Sequence, residues 1–277
     1  MFSVKRIEAT EFAARVVPAL AEREVENNLM IGLALRVAKD PQATPGAVLC
    51  TVEAHGELVG AALRTPPQLV VVTRLPAGAA HAVAEFFRTL GDVPDGAVGP
   101  ENHGRDLASA FAALSGGRLE HASDEIIYEL VALHEPVAPP GFARRATSAD
   151  APLVTRFMSE FFREVVLPHP PNPAELTGRL LARNSAWLWE DERPRAIACW
   201  ARHMTTGTAI APVYTSPDSR ARGYGSAVTA ALCRALFAEG RAFVCLHAER
   251  ANPTSNHVYR KLGFREASTI NVWTVRA

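Results

Sequence analysis

The segment from Val213 to Ser226 constrains this chain more than any other. It reads Val-Tyr-Thr-Ser-Pro-Asp-Ser-Arg-Ala-Arg-Gly-Tyr-Gly-Ser: an apolar strand, a short loop and the start of a helix. Val228, Ala231, Leu232, Ala235 and Leu236 then recur at helical spacing and form one apolar stripe. Gly240 stands where a left-handed C-terminal cap is expected. The N-terminus of such a helix carries backbone N–H groups without acceptors and the positive end of the helix dipole. Gly223 and Gly225 lack a β-carbon, so a bulky anion can approach that backbone closely. Arg220 and Arg222 add positive charge. The pattern predicts a phosphate site, although the loop alone also fits a tight turn with solubilising arginines. It is not the Gly-x-x-x-x-Gly-Lys-Ser/Thr loop of nucleoside triphosphates, and no third glycine completes a dinucleotide fingerprint.

A second block follows one predicted strand later, at Asn252-Pro253-Thr254-Ser255-Asn256-His257-Val258-Tyr259-Arg260-Lys261-Leu262-Gly263-Phe264. Pro253 suits the first position of a helix capped by Asn252. Asn252, Asn256 and Tyr259 then share one helix face, and Val258 and Leu262 lie on another. The two blocks together resemble the GNAT N-acetyltransferase superfamily. Arg220-x-x-Gly223-x-Gly225 matches its Arg/Gln-x-x-Gly-x-Gly/Ala motif, and the second block is similar to its Asn-x-x-Ser-x-x-x-Tyr-x-x-x-Gly-Phe. The resemblance covers residues 142–276.

The resemblance implies acetyl-coenzyme A as cofactor. Its pantetheine arm would follow Val213, Tyr214 and Thr215, where the strand splays from its neighbour. Side-chain alternation would turn Tyr214 to the opposite face. The pyrophosphate would lie on Arg220, Ala221, Arg222, Gly223, Tyr224, Gly225 and Ser226, with Asn252 and Asn256 completing the cofactor site. A strand N–H near the thioester carbonyl would stabilise an oxyanion. The family assigns the tyrosine hydroxyl, here Tyr259, to the departing sulfur. A tyrosine titrates near 10 and a thiol near 8.5, so full proton transfer is uphill by roughly 2 kcal/mol and a strong hydrogen bond is the larger part of that role. The residue also fits a core tyrosine. For the base that deprotonates an amine acceptor, Glu249 is the first candidate, with His247, Glu160 and a relayed water beside it.

The rest of the chain organises around a connector. Helices are expected over 11–21, 26–39, 79–90 and 102–114, with strands over 47–53, 58–64, 68–73, near 98 and over 125–133. Pro136, Pro139, Pro140 and Gly141 mark a boundary. Beyond it, helices are expected from 149 and over 174–182, 226–239 and 253–262. Strands are expected over 187–190, 196–202, 208–215, 241–248 and 270–275. The two halves share an order of elements, so the expected fold is α/β (α+β): two tandem GNAT-like domains, each a mostly antiparallel sheet flanked by helices. The boundaries are residues 1–135, a linker at 136–141, and a catalytic domain at 142–277. Between Val72 and the helix at Ala79 the first half reads Thr73-Arg74-Leu75-Pro76-Ala77-Gly78, without the two-glycine spacing and with one backbone donor lost to Pro76. The first half is therefore expected to be degenerate.

Composition excludes several alternatives. Apolar residues make up 48% of 277, enough for packed cores and against disorder. With 29 acidic and 29 basic side chains, the bulk attraction to nucleic acid or anionic membrane is absent. No apolar run reaches the length of a membrane span. The N-terminus lacks the order of a signal peptide, and a cytoplasmic location is expected. Cys50, Cys199, Cys233 and Cys245 are far apart and without ligand spacing, so reduced buried thiols and no metal are expected. The expected activity is N-acyl transfer from acetyl-coenzyme A to a small amine, amino acid or peptide, by a monomer or homodimer. The alternatives are a non-catalytic acyl-coenzyme A-binding regulator and an amino-acid acyltransferase using a longer acyl chain.

Overall fold

A computed structural model describes residues 2–165 and 167–277, with twelve strands and eight α-helices among them. The chain forms two compact units. Unit 1 holds residues 2–127, 249–251 and 267–277; unit 2 holds the remaining described residues, 128–248 and 252–266. The sequence boundaries put all of 142–277 in the second half. The C-terminal strand instead lies mostly in unit 1, because it pairs there.

In unit 1, β1 (Phe2–Arg6), β2 (Val48–Ala54), β3 (Glu57–Arg64) and β4 (Val70–Val72) run antiparallel in sequence order. The β2–β3 turn uses His55 and Gly56 at φ 53° and 87°, the left-handed pair of a tight hairpin. β4 and β5 (Gly96–Pro100) are parallel, through Val70↔Ala97 and Val71↔Val98. On the other side of β5 lies β12 (Arg265–Arg276), antiparallel from Ile270↔Pro100 to Thr274↔Gly96. Helices α1 (Ala9–Leu20), α2 (Asn28–Lys39), α3 (Ala79–Thr89) and α4 (His103–Ser115) complete the unit. Phe87 of α3 and Phe111 of α4 are fully buried with ring centroids 5.8 Å apart, and Val52, Val70 and Leu107 pack in the same core. Each buried side chain of this size contributes roughly 1.5–3 kcal/mol. β6 (Arg118–Leu130) begins earlier than the strand expected over 125–133 and ends in unit 2.

Unit 2 repeats the plan. β7 (Phe142–Arg145), β8 (Ala186–Asp191), β9 (Arg193–His203) and β10 (Gly207–Thr215) are antiparallel neighbours. β11 (Phe243–Glu249) runs parallel to β10. The helices are α5 (Ala151–Glu164), α6 (Pro173–Ala182), α7 (Tyr224–Ala238) and α8 (Pro253–Lys261). The approach to α5 is set by a capping box in which Asp150 accepts from the Thr147 N–H at 2.8 Å and from Arg144 at 2.8 Å. The Arg144 guanidinium holds the Asp150 carboxyl well below the usual carboxylate range. Val154, Phe157 and Met158 then recur on one face of α5 and bury against Leu188, Ile197 and Tyr214. α6 is capped by Asn172, whose side chain accepts from the Ala174 and Glu175 N–H groups.

Candidate functional site

The geometry at the end of β10 decides what unit 2 can hold. β10 pairs with β9 as far as Thr215↔Ala196, but with β11 only over Gly207–Ala209 ↔ Phe243–Cys245. The β10–β9 ladder is irregular at Ala209/Ile210 and Ile210/Val213, and among the described residues Val213 to Thr215 keep β9 on one edge and pair with no strand on the other. Such a split between parallel strands leaves backbone N–H and C=O groups facing a gap.

From Thr215 the chain turns through Pro217–Ser219 into the loop. Asp218 accepts from the Ser216 and Ser219 hydroxyls and pairs with Arg193, and these contacts lower its carboxyl to about 2. Ala221 has φ 58° and Gly223 φ 85°, so the backbone is left-handed at two places just before α7. Gly223 is the residue before the helix, and no side chain caps it. The first helical hydrogen bond runs from the Ala227 N–H to the Gly223 carbonyl. The amides of Tyr224, Gly225 and Ser226 therefore have no helical acceptor. A β-carbon on Gly225 would lie 2.9 Å from Thr215 Oγ1, so only glycine lets the helix start this close to the strand.

The side chains expected at the cofactor do different things. Arg222 is exposed, whereas Arg220 is committed: its Nη2 donates to both oxygens of Glu164 at 2.5 and 2.7 Å. Its Nε donates to the Thr215 carbonyl at 3.1 Å, and the guanidinium lies 5.6 Å from the Tyr214 ring centroid. Tyr214 turns its side chain into the core against Phe157, as strand alternation requires. Its hydroxyl has no hydrogen-bond partner among the described residues. Burial, with the nearby Glu160 and Glu164 carboxylates, raises it to about 12. Tyr224 donates its hydroxyl to Asp191, so what it offers the loop is its amide. Val213 and Thr215 are half-buried at the split.

On α8, Asn252 caps the helix by accepting from the Ser255 N–H at 3.0 Å. Asn256 and Tyr259 are buried, as the shared face requires. The Tyr259 ring packs against Tyr128 and Phe264 at centroid distances of 6.2 and 5.7 Å. Burial, then the neighbouring Cys233, pushes its hydroxyl well above the ordinary value of 10. After α8, Gly263 at φ 96° turns the chain where a β-carbon would sit 2.8 Å from the Ala132 carbonyl. His247 is half-buried on β11. Glu249 ends β11, is exposed and falls in unit 1. Glu160 is half-buried on α5.

The parallel pair that splits, the uncapped helix after a left-handed glycine and the buried tyrosine on the next helix all lie in unit 2. Residues 189–274 match the family described as FR47-like protein. A Drosophila protein of known structure aligns at a TM-score of 0.70 and 13% identity, over 99% of this chain and 98% of that one. A GCN5-related N-acetyltransferase from Sphaerobacter thermophilus aligns at 0.63 and 15%, over 100% and 96%. A tandem GNAT protein from the clavulanic acid biosynthesis pathway aligns at 0.59 and 14%, over 100% and 98%. The chain has the GNAT fold. No curated protein sequence matches it.

In GNAT terms both units keep the parallel strand pair, and they differ where the split would open. In unit 1 a β-carbon on Gly99 of β5 would lie 2.7 Å from the Val72 side chain, so β4 and β5 are in close contact there. The loop before α3 keeps a left-handed glycine, Gly78 at φ 83°, almost the conformation of Gly223. Its Leu75 N–H is taken by His103 Nδ1 at 3.4 Å. In unit 2 a cavity of about 500 Å³ runs along the alanine face of α7, by Trp187, Trp189, Glu135, Pro136 and Ala138, and its lining includes none of residues 220–226.

The four cysteines are buried, with Cys50 raised to about 12 by burial. No group of His, Cys, Asp and Glu among the described residues could hold a metal ion. No helix among the described residues is long and apolar enough to cross a membrane.

Proposed function

We propose that this GNAT-fold chain is an N-acyltransferase that moves an acetyl group from acetyl-coenzyme A to an amine, with unit 2 as the catalytic half. One observation carries the reading: an uncapped helix N-terminus stands directly after the strand that parts from its parallel neighbour. The Tyr224, Gly225 and Ser226 amides fit a pyrophosphate, and the left-handed Gly223 before them leaves the helix end without a side-chain cap. The unpaired edge of β10 at 213–215 fits the amides of a pantetheine arm.

When bound, acetyl-coenzyme A would supply the acetyl thioester. Within the chain, a β10 N–H at the split would donate to the thioester oxygen and stabilise charge that develops there. Tyr259 would donate a hydrogen bond from its hydroxyl to the leaving sulfur. Its raised affinity for the proton makes it a donor that keeps that proton rather than an acid that surrenders it. Asn252 acts as a helix cap, so Asn256, buried one turn before Tyr259, is the better cofactor candidate of the two. Unit 1, with its strands closed at Val72 and Gly99, is proposed to bind no coenzyme A and to act through structure.

Calorimetric titration with acetyl-coenzyme A, followed by thiol release over a panel of amines, amino acids and peptides, tests the reading. Binding with one site per chain and acceptor-stimulated release are expected. Tight binding with release that no acceptor stimulates would identify a regulator, and two sites per chain would restore unit 1 as a cofactor domain.

A further inference from the structure

The loop motif makes Arg220 a candidate phosphate ligand, yet its Nε and Nη2 are bound elsewhere. Nη2 is bound to both Glu164 oxygens, Nε to the Thr215 carbonyl, and the plane rests near the Tyr214 ring. These contacts join three elements: the last residue of α5, the last residue of β10 and the loop itself. Unit 1 holds a similar contact without the cradle. Arg74, just after β4, donates its Nε and Nη2 to Glu26 at 2.7 and 3.2 Å, in the connection that follows α1. There the two-glycine spacing is missing and the strand split is closed. An arginine–glutamate contact that recurs where no phosphate cradle exists is explained by what it joins rather than by an anion.

We propose that Arg220 and Glu164 form a clasp that fixes the end of α5 to the glycine loop, and that Arg220 is a positioning residue rather than a ligand of the pyrophosphate. The inference rests on unit 2 binding coenzyme A. The clasp sets the loop in the conformation that presents the Tyr224 to Ser226 amides. It also ties that loop to α5, whose Phe161 and Phe162 pack on the same core as Tyr214. The pair is solvent-exposed, with side chains 46% and 44% accessible, so each single contact is weak. Its effect comes from geometry: a planar fork can meet a carboxylate and a carbonyl together, which an ammonium on a flexible stem does poorly.

The sign of the Glu164→Gln effect separates the two roles. If Arg220 were a phosphate ligand, removing Glu164 would free its charge and remove a nearby anion, and coenzyme A would bind tighter. The clasp predicts the reverse. Glu164→Gln, Arg220→Ala and Arg220→Lys each weaken coenzyme A binding about three- to tenfold, and the Glu164→Gln/Arg220→Ala double variant is no worse than either single one. Each also raises the KM for acetyl-coenzyme A several-fold with little change in kcat. Titration of the intact chain with coenzyme A, with circular dichroism to establish folding, reads these outcomes. Tighter binding by Glu164→Gln, additive losses in the double variant, or near-native binding by Arg220→Lys would overturn the clasp and leave the site reading standing. Wild-type protein that binds no coenzyme A would remove the site reading itself, and the clasp with it.

Discussion

A β-carbon built on Gly223 would lie 3.8 Å from Cδ of Pro139, so the proline connector runs alongside the glycine loop. The connector is fixed there: Glu135 pairs with Arg234 of α7, and the Trp189 indole N–H donates to the Pro140 carbonyl at 3.0 Å. Residues 135–140 are thus a strap laid over α7 rather than a free tether.

Gly223→Ala and Gly223→Val separate two costs at this point. Alanine at φ 85° carries only the strain of a left-handed residue, roughly 1–2 kcal/mol, because its methyl makes ordinary contact with Pro139. Valine adds methyl groups that extend towards Pro139 and into the space proposed for the pyrophosphate. The expected outcome is a fall of a few degrees in Tm for alanine. For valine, coenzyme A affinity should also fall at least about tenfold. Calorimetric titration showing unchanged affinity in a folded Gly223→Val variant would place the anion site elsewhere.

Tyr259→Phe keeps the ring packed against Tyr128 and Phe264 and removes the hydroxyl alone. An interaction made mainly in the transition state lowers kcat and kcat/KM together, here by about tenfold or more, with acetyl-coenzyme A affinity unchanged. Because burial raises this hydroxyl above 10, the neutral donor persists through the whole neutral and mildly alkaline range. No alkaline limb below pH 10 should therefore belong to it. A limb in that range that is present in wild type and lost in Tyr259→Phe would contradict the assignment.

Asp150→Asn should cost about 1–2 kcal/mol, the scale of a lost helix cap, since Asp150 serves both the Thr147 N–H and Arg144. Its folded pKa is depressed, so its stabilisation is present above the unfolded value near 3.9 and is lost as pH falls towards the lower folded value. The stability gap between wild type and Asp150→Asn should be full at pH 6 and shrink below pH 4. Urea titrations at the two pH values check this, and a gap that widens in acid would show that the Arg144 pairing is not its source.

What the sequence made legible was local. Helical spacing located α5, α7 and α8, and the glycine loop located the start of α7. The strands β1 and β7 were not read because each is short, pairs with one neighbour only and presents few buried residues. The commitment of Arg220 to Glu164 joins residues 56 apart, and nothing in either neighbourhood signals it. The destination of the last strand was illegible for the same reason. Ile270, Val272 and Thr274 alternate as a half-buried strand in either unit, and only long-range pairing decides between them.

That pairing gives the final prediction. Removing residues 267–277 takes away the ladder from Ile270↔Pro100 to Thr274↔Gly96 and leaves β5 without its β12 partner. It also removes Trp273, which packs on the unit 1 core, lies 4.8 Å from the His121 ring and accepts the Arg105 guanidinium on its face. Losing a packed tryptophan alone costs about 3–5 kcal/mol, a large share of the 5–15 kcal/mol that holds a typical domain. Hydrogen exchange on the shortened chain should therefore show protection collapsing in β2 to β5 of unit 1, while α7 and β9 of unit 2 keep theirs. The same reasoning applies to a fragment of residues 142–277, the domain boundary that sequence suggests. It retains β12 but lacks β5, and so should expose an unpaired apolar strand and aggregate. Native protection across β5 in the shortened chain, or a monomeric soluble 142–277 fragment with β12 protected, would count against the exchange of that strand between the halves.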